Sequence, residues 1–296
     1  MSAAAAIVMS YLVAVTILWA FSFSLIGVYL AGQVDVYFAV LTRITLALLV
    51  FAPMLRPRAT GRGPALGLMA VGAVQIGLMY LFFYQSFLFI SVPEVLLFSI
   101  VTPIYITLLE DLLVGRFAPR YLLVAVLAVA GAAVIRYTEV GENVWLGFAL
   151  MQGANLCFAI GQVGYRRLAP RLPAGVPLHR QFAWFFAGAW PVAAISFAVF
   201  GNRNAIADTP TEWAVLLWLG IAASGVGYYA WNRGVTRVDA GTLAVMNNAL
   251  IPAGLIVNLL IWNHQADLVR LALGATIIGG ALAVNAGWAR RAGSRG

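Results

Sequence analysis

The chain has 296 residues, of which 63% are hydrophobic and only 9% are charged, whereas an ordinary soluble domain is about 25% charged. This composition argues against a soluble globular protein and predicts an all-α polytopic membrane protein. The net charge of +8 does not indicate nucleic-acid binding, because the arginines lie in short loops beside hydrophobic segments. We therefore expect no nucleic-acid partner.

Ten apolar segments follow one another along the chain, and each is long enough to cross the hydrocarbon core as a helix. A β-barrel is disfavoured because its strands alternate apolar and polar residues, whereas runs such as 121–135 are continuously apolar. The first segment has no basic region before it and continues as a full-length span, so no cleavable signal is expected. In chain order, the predicted transmembrane helices are 7–30, 34–55, 64–89, 92–114, 119–137, 143–165, 178–200, 212–232, 238–262 and 267–288.

The arginines are distributed unequally between alternate loops. If the N-terminus is cytoplasmic, fourteen arginines fall on the cytoplasmic side, and only Arg136, Arg203 and Arg270 fall on the opposite side. Acidic residues, among them Asp35 and Glu94, lean towards that opposite side. This bias follows the positive-inside rule. It predicts a multi-pass protein of the inner (plasma) membrane with ten spans and both termini cytoplasmic.

Reactive side chains are few. The chain has no lysine, one cysteine at Cys157, and two histidines at His179 and His264. Without a lysine, no Schiff base to retinal or pyridoxal phosphate can form, and these three residues do not make a plausible haem, iron–sulfur or zinc site. We expect no cofactor, no metal and no enzymatic activity.

Two of the apolar helices carry a proline at related positions. Pro103 and Pro252 are 149 residues apart. Since each half would contain five spans, the halves enter the membrane in opposite orientations, and we predict two inverted repeats, 1–138 and 139–296. Proline frees a backbone carbonyl that protein or water must satisfy, which favours kinked helices facing a cavity. A kink that serves only packing is the alternative.

The chain resembles the drug/metabolite transporter superfamily with two EamA-type halves. The resemblance covers nearly the whole chain and implies ten helices, inverted repeats and a small-molecule substrate. Within the superfamily, the chain looks most like exporters of aromatic amino acids. EamA halves commonly end their fourth helix in Gly-Glu, whereas Gly115 is followed by Arg116 here, so coupling mechanisms are not carried over. The segments that carry the resemblance include ILWAFSFSLIG (17–27), LTRITLALLVF (41–51), TPIYITLLEDLLVGRF (102–117), WLGFALMQGANLCFAIGQVGYR (145–166) and LGIAASGVGYYAWNRG (219–234).

Aromatic, hydroxyl and amide side chains share faces on several predicted spans. Because such groups are costly to expose to lipid, we expect these faces to point inward. Hydrogen bonds between helices and interfacial aromatic belts are the alternatives. Small residues at helical spacing, such as Gly220, Ser224 and Gly227, are interpreted as packing. The predicted substrate-binding residues are Trp19, Arg43, Tyr80, Tyr84, Ser99, Tyr105, Asn155, Tyr228 and Asn247, with helix kinks at Pro103 and Pro252.

Arg43 is the one arginine well inside a predicted span. An intramembrane charge indicates a functional role by default, and this one can attract a substrate carboxylate. The alternative is that Arg43 caps backbone carbonyls or pairs with Glu94. If the functional interpretation holds, Arg43→Ala abolishes transport.

Together these patterns predict a transporter that exports aromatic amino acids and related amphipathic aromatic compounds by alternating access through a central cavity. Ring faces with amide and hydroxyl groups suit a flat amphipathic ligand, including planar cations. The alternatives are an exporter of other small metabolites or planar cationic drugs and, in a different class, a membrane receptor or scaffold. The expected partners are the small-molecule substrate and membrane lipid, and the protein is expected to be a monomer.

Overall fold

The structure is a computed structural model that describes residues 3–113, 115, 142–173, 176–235, 240–262 and a few positions between 268 and 280. Every regular element within these ranges is helical. The main helices are α1 (Ala3–Tyr29), α2 (Val36–Phe51), α3 (Arg62–Ser86), α4 (92–113), α5 (Glu142–Leu168), α6 (Leu178–Phe200), α7 (210–235) and α8 (Ala240–Ile261). Each agrees with one of the predicted spans to within about four residues. The predicted spans 119–137 and 267–288 lie wholly or mostly outside the described residues.

Three helices change geometry along their length. The π and 3₁₀ segments alter the hydrogen-bond ladder and frequently mark functional regions. The three composite helices are α3 (Arg62–Gly72, then the π segment Ala73–Leu78, then Met79–Ser86), α4 (Val92–Phe98, then the 3₁₀ turn Ser99–Val101, then Thr102–Leu113) and α7 (Pro210–Leu217, then the π segment Trp218–Gly227, then Tyr228–Val235).

Six helices in the described part of the chain are long and apolar enough to cross a membrane. They are Ser10–Tyr29, Val36–Met54, Arg62–Ser86, Asn143–Arg171, Leu178–Phe200 and Pro210–Trp231. The 3₁₀ turn divides α4 into shorter pieces. The architecture is that of an all-helical, multi-pass membrane protein, and the total of ten spans stays a prediction.

Acidic residues begin three of the helices. Asp35 accepts a hydrogen bond from the backbone N–H of Phe38 at the start of α2. Glu94 forms a capping box with Ser91 at the start of α4, and Glu212 forms a capping box with Thr209 at the start of α7. A carboxylate there satisfies orphan N–H groups and complements the helix dipole. The acids that the sequence places beside these spans therefore mark helix N-termini.

Glycines allow the tightest helix crossing, which lies between α3 and α6. A Cβ atom added at Gly72 would lie 2.0 Å from the carbonyl oxygen of Phe185, and one added at Gly188 would lie 2.0 Å from that of Met69. Close approach of backbones through small residues is the usual way in which membrane helices associate. This crossing is closed, whereas a cavity opens between the other helices.

Candidate functional site

A cavity of about 140 Å³ lies among seven of the eight helices that the structure describes, and α6 is the one of these helices that contributes no lining residue. Its lining is mainly aromatic and apolar, and among the described residues one charged side chain, Arg43, lines it. The lining residues are Trp19, Ser22 and Phe23 of α1, Arg43 of α2, Met79, Tyr80 and Phe83 of α3, Ser99 and Thr102 of α4, Met151, Ala154, Asn155 and Phe158 of α5, Tyr228 of α7 and Leu250 of α8.

Arg43 is held by hydroxyl groups and an aromatic ring. Its Nε donates to the Ser224 hydroxyl at 2.6 Å, and one terminal nitrogen donates to the Tyr84 hydroxyl at 3.2 Å. The guanidinium carbon lies 4.1 Å from the centre of the Tyr80 ring, and the Tyr80 hydroxyl is 2.8 Å from that of Ser224. The side chain is only 4% exposed. These contacts fix the cation at the edge of the cavity without neutralising its charge.

Glu94 is occupied elsewhere. Its Oε2 accepts hydrogen bonds of 2.7 Å from both the backbone N–H and the hydroxyl of Ser91. Within the described residues, no carboxylate lies within ion-pair distance of the Arg43 guanidinium. A buried cation normally requires an anionic or strongly polar partner. The arrangement of Arg43 therefore suits an anionic ligand in the cavity.

A second polar region lies where α4 meets α5. Asn155 is 3% exposed, and its amide nitrogen donates to the Phe98 carbonyl at 2.9 Å and to the Gln152 side-chain oxygen at 3.2 Å. The Thr102 hydroxyl donates to the Ser99 carbonyl at 2.7 Å and lies 3.0 Å from the side-chain oxygen of Asn155. These bonds satisfy carbonyls that the 3₁₀ turn removes from the helical ladder.

The two prolines lie in helices that contribute to the cavity. Pro103 follows the 3₁₀ turn of α4, between the lining residue Thr102 and the rest of that helix; its side chain lies outside the described set. Pro252 lies inside α8 and is exposed, whereas Leu250 of the same helix lines the cavity. The Pro252 ring therefore points away from the cavity that its helix helps to form.

The remaining predicted site residues have different surroundings. Trp19 donates to the Ala223 carbonyl at 2.9 Å and packs against Tyr228, with ring centres 5.2 Å apart. Tyr105 donates to the side-chain oxygen of Gln152 at 3.2 Å and does not line the cavity. The side chain of Asn247 lies outside the described residues.

The structure thus brings six of the nine predicted binding residues to one cavity and places Tyr84 behind Arg43. The six are Trp19, Arg43, Tyr80, Ser99, Asn155 and Tyr228.

Ser224 has more than the packing role that its spacing suggested. Its hydroxyl connects Arg43 on α2 with Tyr80 on α3. The neighbouring Gly220 does pack closely, since an added Cβ would lie 2.6 Å from that of Leu46. Among the lining residues that were not predicted are Met79, Met151 and Ala154. An apolar residue carries no sequence signal that separates cavity lining from packing.

Three curated bacterial proteins are similar to nearly the whole chain. The "Probable biotin transporter" of Pseudomonas aeruginosa is 50% identical over 277 residues, which are 94% of this chain and 97% of that protein. The "Biotin transporter" of Salmonella typhimurium is 48% identical and that of Escherichia coli is 47% identical, each over 281 residues, 95% of this chain and 93% of the relative. These relatives are transporters, which confirms that the chain is not an enzyme.

More distant similarities concern the fold. The "Aromatic amino acid exporter YddG" of Ancylobacter novellus is 27% identical over 219 residues, 72% of this chain and 73% of that protein. One solved crystal structure superposes with a TM-score of 0.63 and 20% identity, covering 98% of this chain and 99% of that one. No protein-family model matches the chain. The EamA-type assignment thus receives only weak support, from the distant exporter.

The predicted export of aromatic amino acids is wrong, because relatives about half identical over nearly the whole chain are named biotin transporters. The physical reason for the error is that an aromatic-lined cavity does not specify an aromatic ligand. Aromatic side chains also bury the apolar surface of a non-aromatic ring, because the gain from burial depends on apolar area and not on ring type. Part of the aromatic set is also engaged within the protein, as in the contacts of Trp19 with Ala223 and Tyr228.

Proposed function

This chain belongs to the family of the bacterial biotin transporters, and we infer that biotin itself is the substrate that its central cavity carries across the membrane. The observation that carries this inference is the identity of 47–50% with biotin transporters over 94–95% of the chain. We assign the protein to the inner membrane. Transport by alternating access fits a site enclosed by helices from both halves of the chain.

The chemistry of the cavity supports this substrate. Biotin is a carboxylate joined by a flexible hydrocarbon chain to a compact fused ring that contains a thioether and a cyclic urea. Arg43 supplies a fixed positive charge for the carboxylate, since an arginine guanidinium stays protonated in proteins. Phe23, Phe83 and Phe158 supply apolar surface for the chain and the ring.

We further propose that the chain consists of two inverted repeats, 1–138 and 139–296, with ten spans and both termini cytoplasmic. The two π segments support the repeat, because they end at Leu78 and Gly227, which are 149 residues apart. The same offset separates Pro103 from Pro252. Repeats that carry matching irregular helices are typical of transporters with a binding site between the halves.

Helix pairing supports the same symmetry. In an inverted repeat, α5, α6, α7 and α8 are equivalent to α1, α2, α3 and α4. A contact between a helix of one half and a helix of the other must therefore recur between the two equivalent helices. The contact of α2 with α7 corresponds to that of α6 with α3, and the contact of α1 with α8 to that of α5 with α4. All four pairs pack against each other. Fusing a reporter that fluoresces only in the cytoplasm to either terminus tests the orientation.

Uptake of radiolabelled biotin tests the function. The chain should be expressed in a biotin-requiring bacterium whose own biotin transporter has been deleted. We expect saturable uptake that unlabelled biotin suppresses and tryptophan does not. Biotin methyl ester, which lacks the carboxylate, should compete at least about tenfold more weakly, because it cannot form a charge-assisted hydrogen bond with Arg43.

The control is the same strain with an empty vector, together with an immunoblot of the membrane fraction. The assignment of biotin is wrong if the protein reaches the membrane and biotin uptake does not exceed that of the control. Equal competition by biotin and its methyl ester would leave biotin as the substrate and remove the carboxylate-binding role of Arg43.

A further inference from the structure

We propose that the cavity recognises one end of its ligand with hydrogen-bond donors and the other end with acceptors. Arg43 donates to the carboxylate, and the N–H groups of the cyclic urea donate to Ser99, Thr102 and Asn155. This proposal rests on the proposed function, because biotin is the ligand whose ends it assigns. It adds a specificity-determining region on α4 and α5, whose described lining residues carry no charge.

The Arg43 region has hydrogen-bond donors to spare. A guanidinium group carries five N–H donors. Two are used within the described residues, by the hydroxyls of Ser224 and Tyr84. The other three have no hydrogen-bond partner among the described residues, and Arg43 lines the cavity. This region can therefore hold an anionic oxygen and offers little to a ligand N–H.

In the region of α4 and α5, the donors are already used. The Ser99 hydroxyl donates to the Leu96 carbonyl at 2.6 Å. The Thr102 hydroxyl hydrogen is shared between the Ser99 carbonyl and the side-chain oxygen of Asn155. Both hydrogens of the Asn155 amide are used, at Phe98 and Gln152.

What these side chains still present to the cavity is acceptor capacity. A hydroxyl oxygen has two lone pairs and an amide oxygen has two. Ser99 and Thr102 therefore keep lone pairs that no described group fills, and Asn155 keeps one at its side-chain oxygen. A ligand that brings N–H donors is matched here, while a ligand that brings only acceptors leaves its own groups unsatisfied.

Biotin meets both requirements because its carboxylate and its urea N–H groups lie at opposite ends of the molecule. Lipoate offers a close comparison: it has the same pentanoate chain and a sulfur-containing ring, but no N–H group. Desthiobiotin has the opposite change, since it keeps the cyclic urea and lacks the thioether. The protein should accordingly prefer biotin and desthiobiotin to lipoate.

The experiment is competition against labelled biotin uptake by the full-length protein and by the double variant Ser99→Ala, Thr102→Val. Losing two neutral hydrogen bonds corresponds to about a tenfold loss of affinity. We expect biotin and desthiobiotin to compete about tenfold more weakly in the double variant. Competition by lipoate should change by less than about twofold, because lipoate makes no hydrogen bond there.

Two further variants separate this role from damage to the helix kink. The single variant Thr102→Ser keeps both hydroxyls and should keep the wild-type preference for biotin over lipoate. Thr16→Val removes a hydroxyl from α1 that donates to the Leu12 carbonyl and does not line the cavity, and should leave that preference unchanged. Because α4 can be disturbed by the double variant, each protein is first checked for a single folded species in detergent.

The proposal is overturned if the folded double variant keeps the wild-type ratio of lipoate to biotin inhibition constants. It is also overturned if the single variant Thr102→Ser loses that ratio. Failure of the proposed function is a different result. In that case, the wild-type protein itself takes up no biotin, whatever the variants do.

Discussion

The two ends of α3 differ in how they pack: one is in close contact with α6, and the other lines the cavity. The half Arg62–Gly72 crosses α6 so closely that the glycines at the contact have no room for a methyl group. The half Met79–Ser86 carries Tyr80 and Phe83 at the cavity. The π segment Ala73–Leu78 joins them. Small residues therefore close the helix contact between α3 and α6, and large ring-bearing residues line the cavity between α3 and the other helices.

This contrast separates two kinds of sensitivity. At the α3–α6 crossing, any added atom meets backbone, which cannot move aside as a side chain can. At the cavity, polar contacts hold some of the side chains in place, as Ser224 and Arg43 hold Tyr80. Changes at the crossing should therefore affect folding, and changes at the cavity should affect transport.

The largest effect is expected for Gly188→Ala. Its new methyl group would lie 2.0 Å from the Met69 carbonyl oxygen, and overpacking against backbone costs roughly 3 kcal/mol or more. The matched control is Gly164→Ala on α5, where the nearest atom, Cγ2 of Val71, is 3.6 Å away. Thermal unfolding and size-exclusion chromatography in detergent measure both variants. Equal stability of the two would contradict a closed crossing.

Next in size is Arg43→Gln, which should leave the protein folded. Removing one partner of a buried charged contact costs about a hundredfold or more in ligand interaction, so biotin uptake should fall by that factor. Arg43→Lys keeps the charge without the planar fork and should lose about tenfold. The control is Arg58→Gln, at an exposed arginine. Uptake by folded Arg43→Gln at the wild-type rate would remove Arg43 from the site.

Much of the fold can be predicted from the sequence because a helix that crosses lipid must be apolar along its length. Each crossing helix needs a continuous apolar run, so the spans 178–200 and 143–165 differ from the observed helices by three residues or fewer. The π segments of α3 and α7 were not predicted. A proline removes a hydrogen bond in an identifiable way, whereas nothing in the residues of Ala73–Leu78 marks a change of helical repeat.

A site residue could be predicted where its side chain is rare inside a membrane span, and could not where that side chain is common there. Arg43 stands out because a charge inside a span is costly and needs a reason. Ser224 does not, since a serine among glycines is equally typical of helix packing. The substrate was misread because a cation and ring faces suit an amino acid and biotin alike. The distinction depends on which hydrogen-bond donors and acceptors remain unused, and only the folded structure shows that for Ser99 and Thr102.

The smallest of these effects is expected for Ser224→Ala. The Ser224 hydroxyl accepts from Nε of Arg43 at 2.6 Å and contacts the Tyr80 hydroxyl at 2.8 Å, so its loss frees the guanidinium to adopt other orientations. The charge stays in place, and we expect the KM for biotin to rise roughly fivefold with the maximal rate within about twofold of wild type. Ser86→Ala is the control, because the Ser86 hydroxyl donates to the Phe83 carbonyl of its own helix. A KM that changes equally in the two variants would mean that Ser224 only packs, and that α7 contributes space rather than orientation to the Arg43 region.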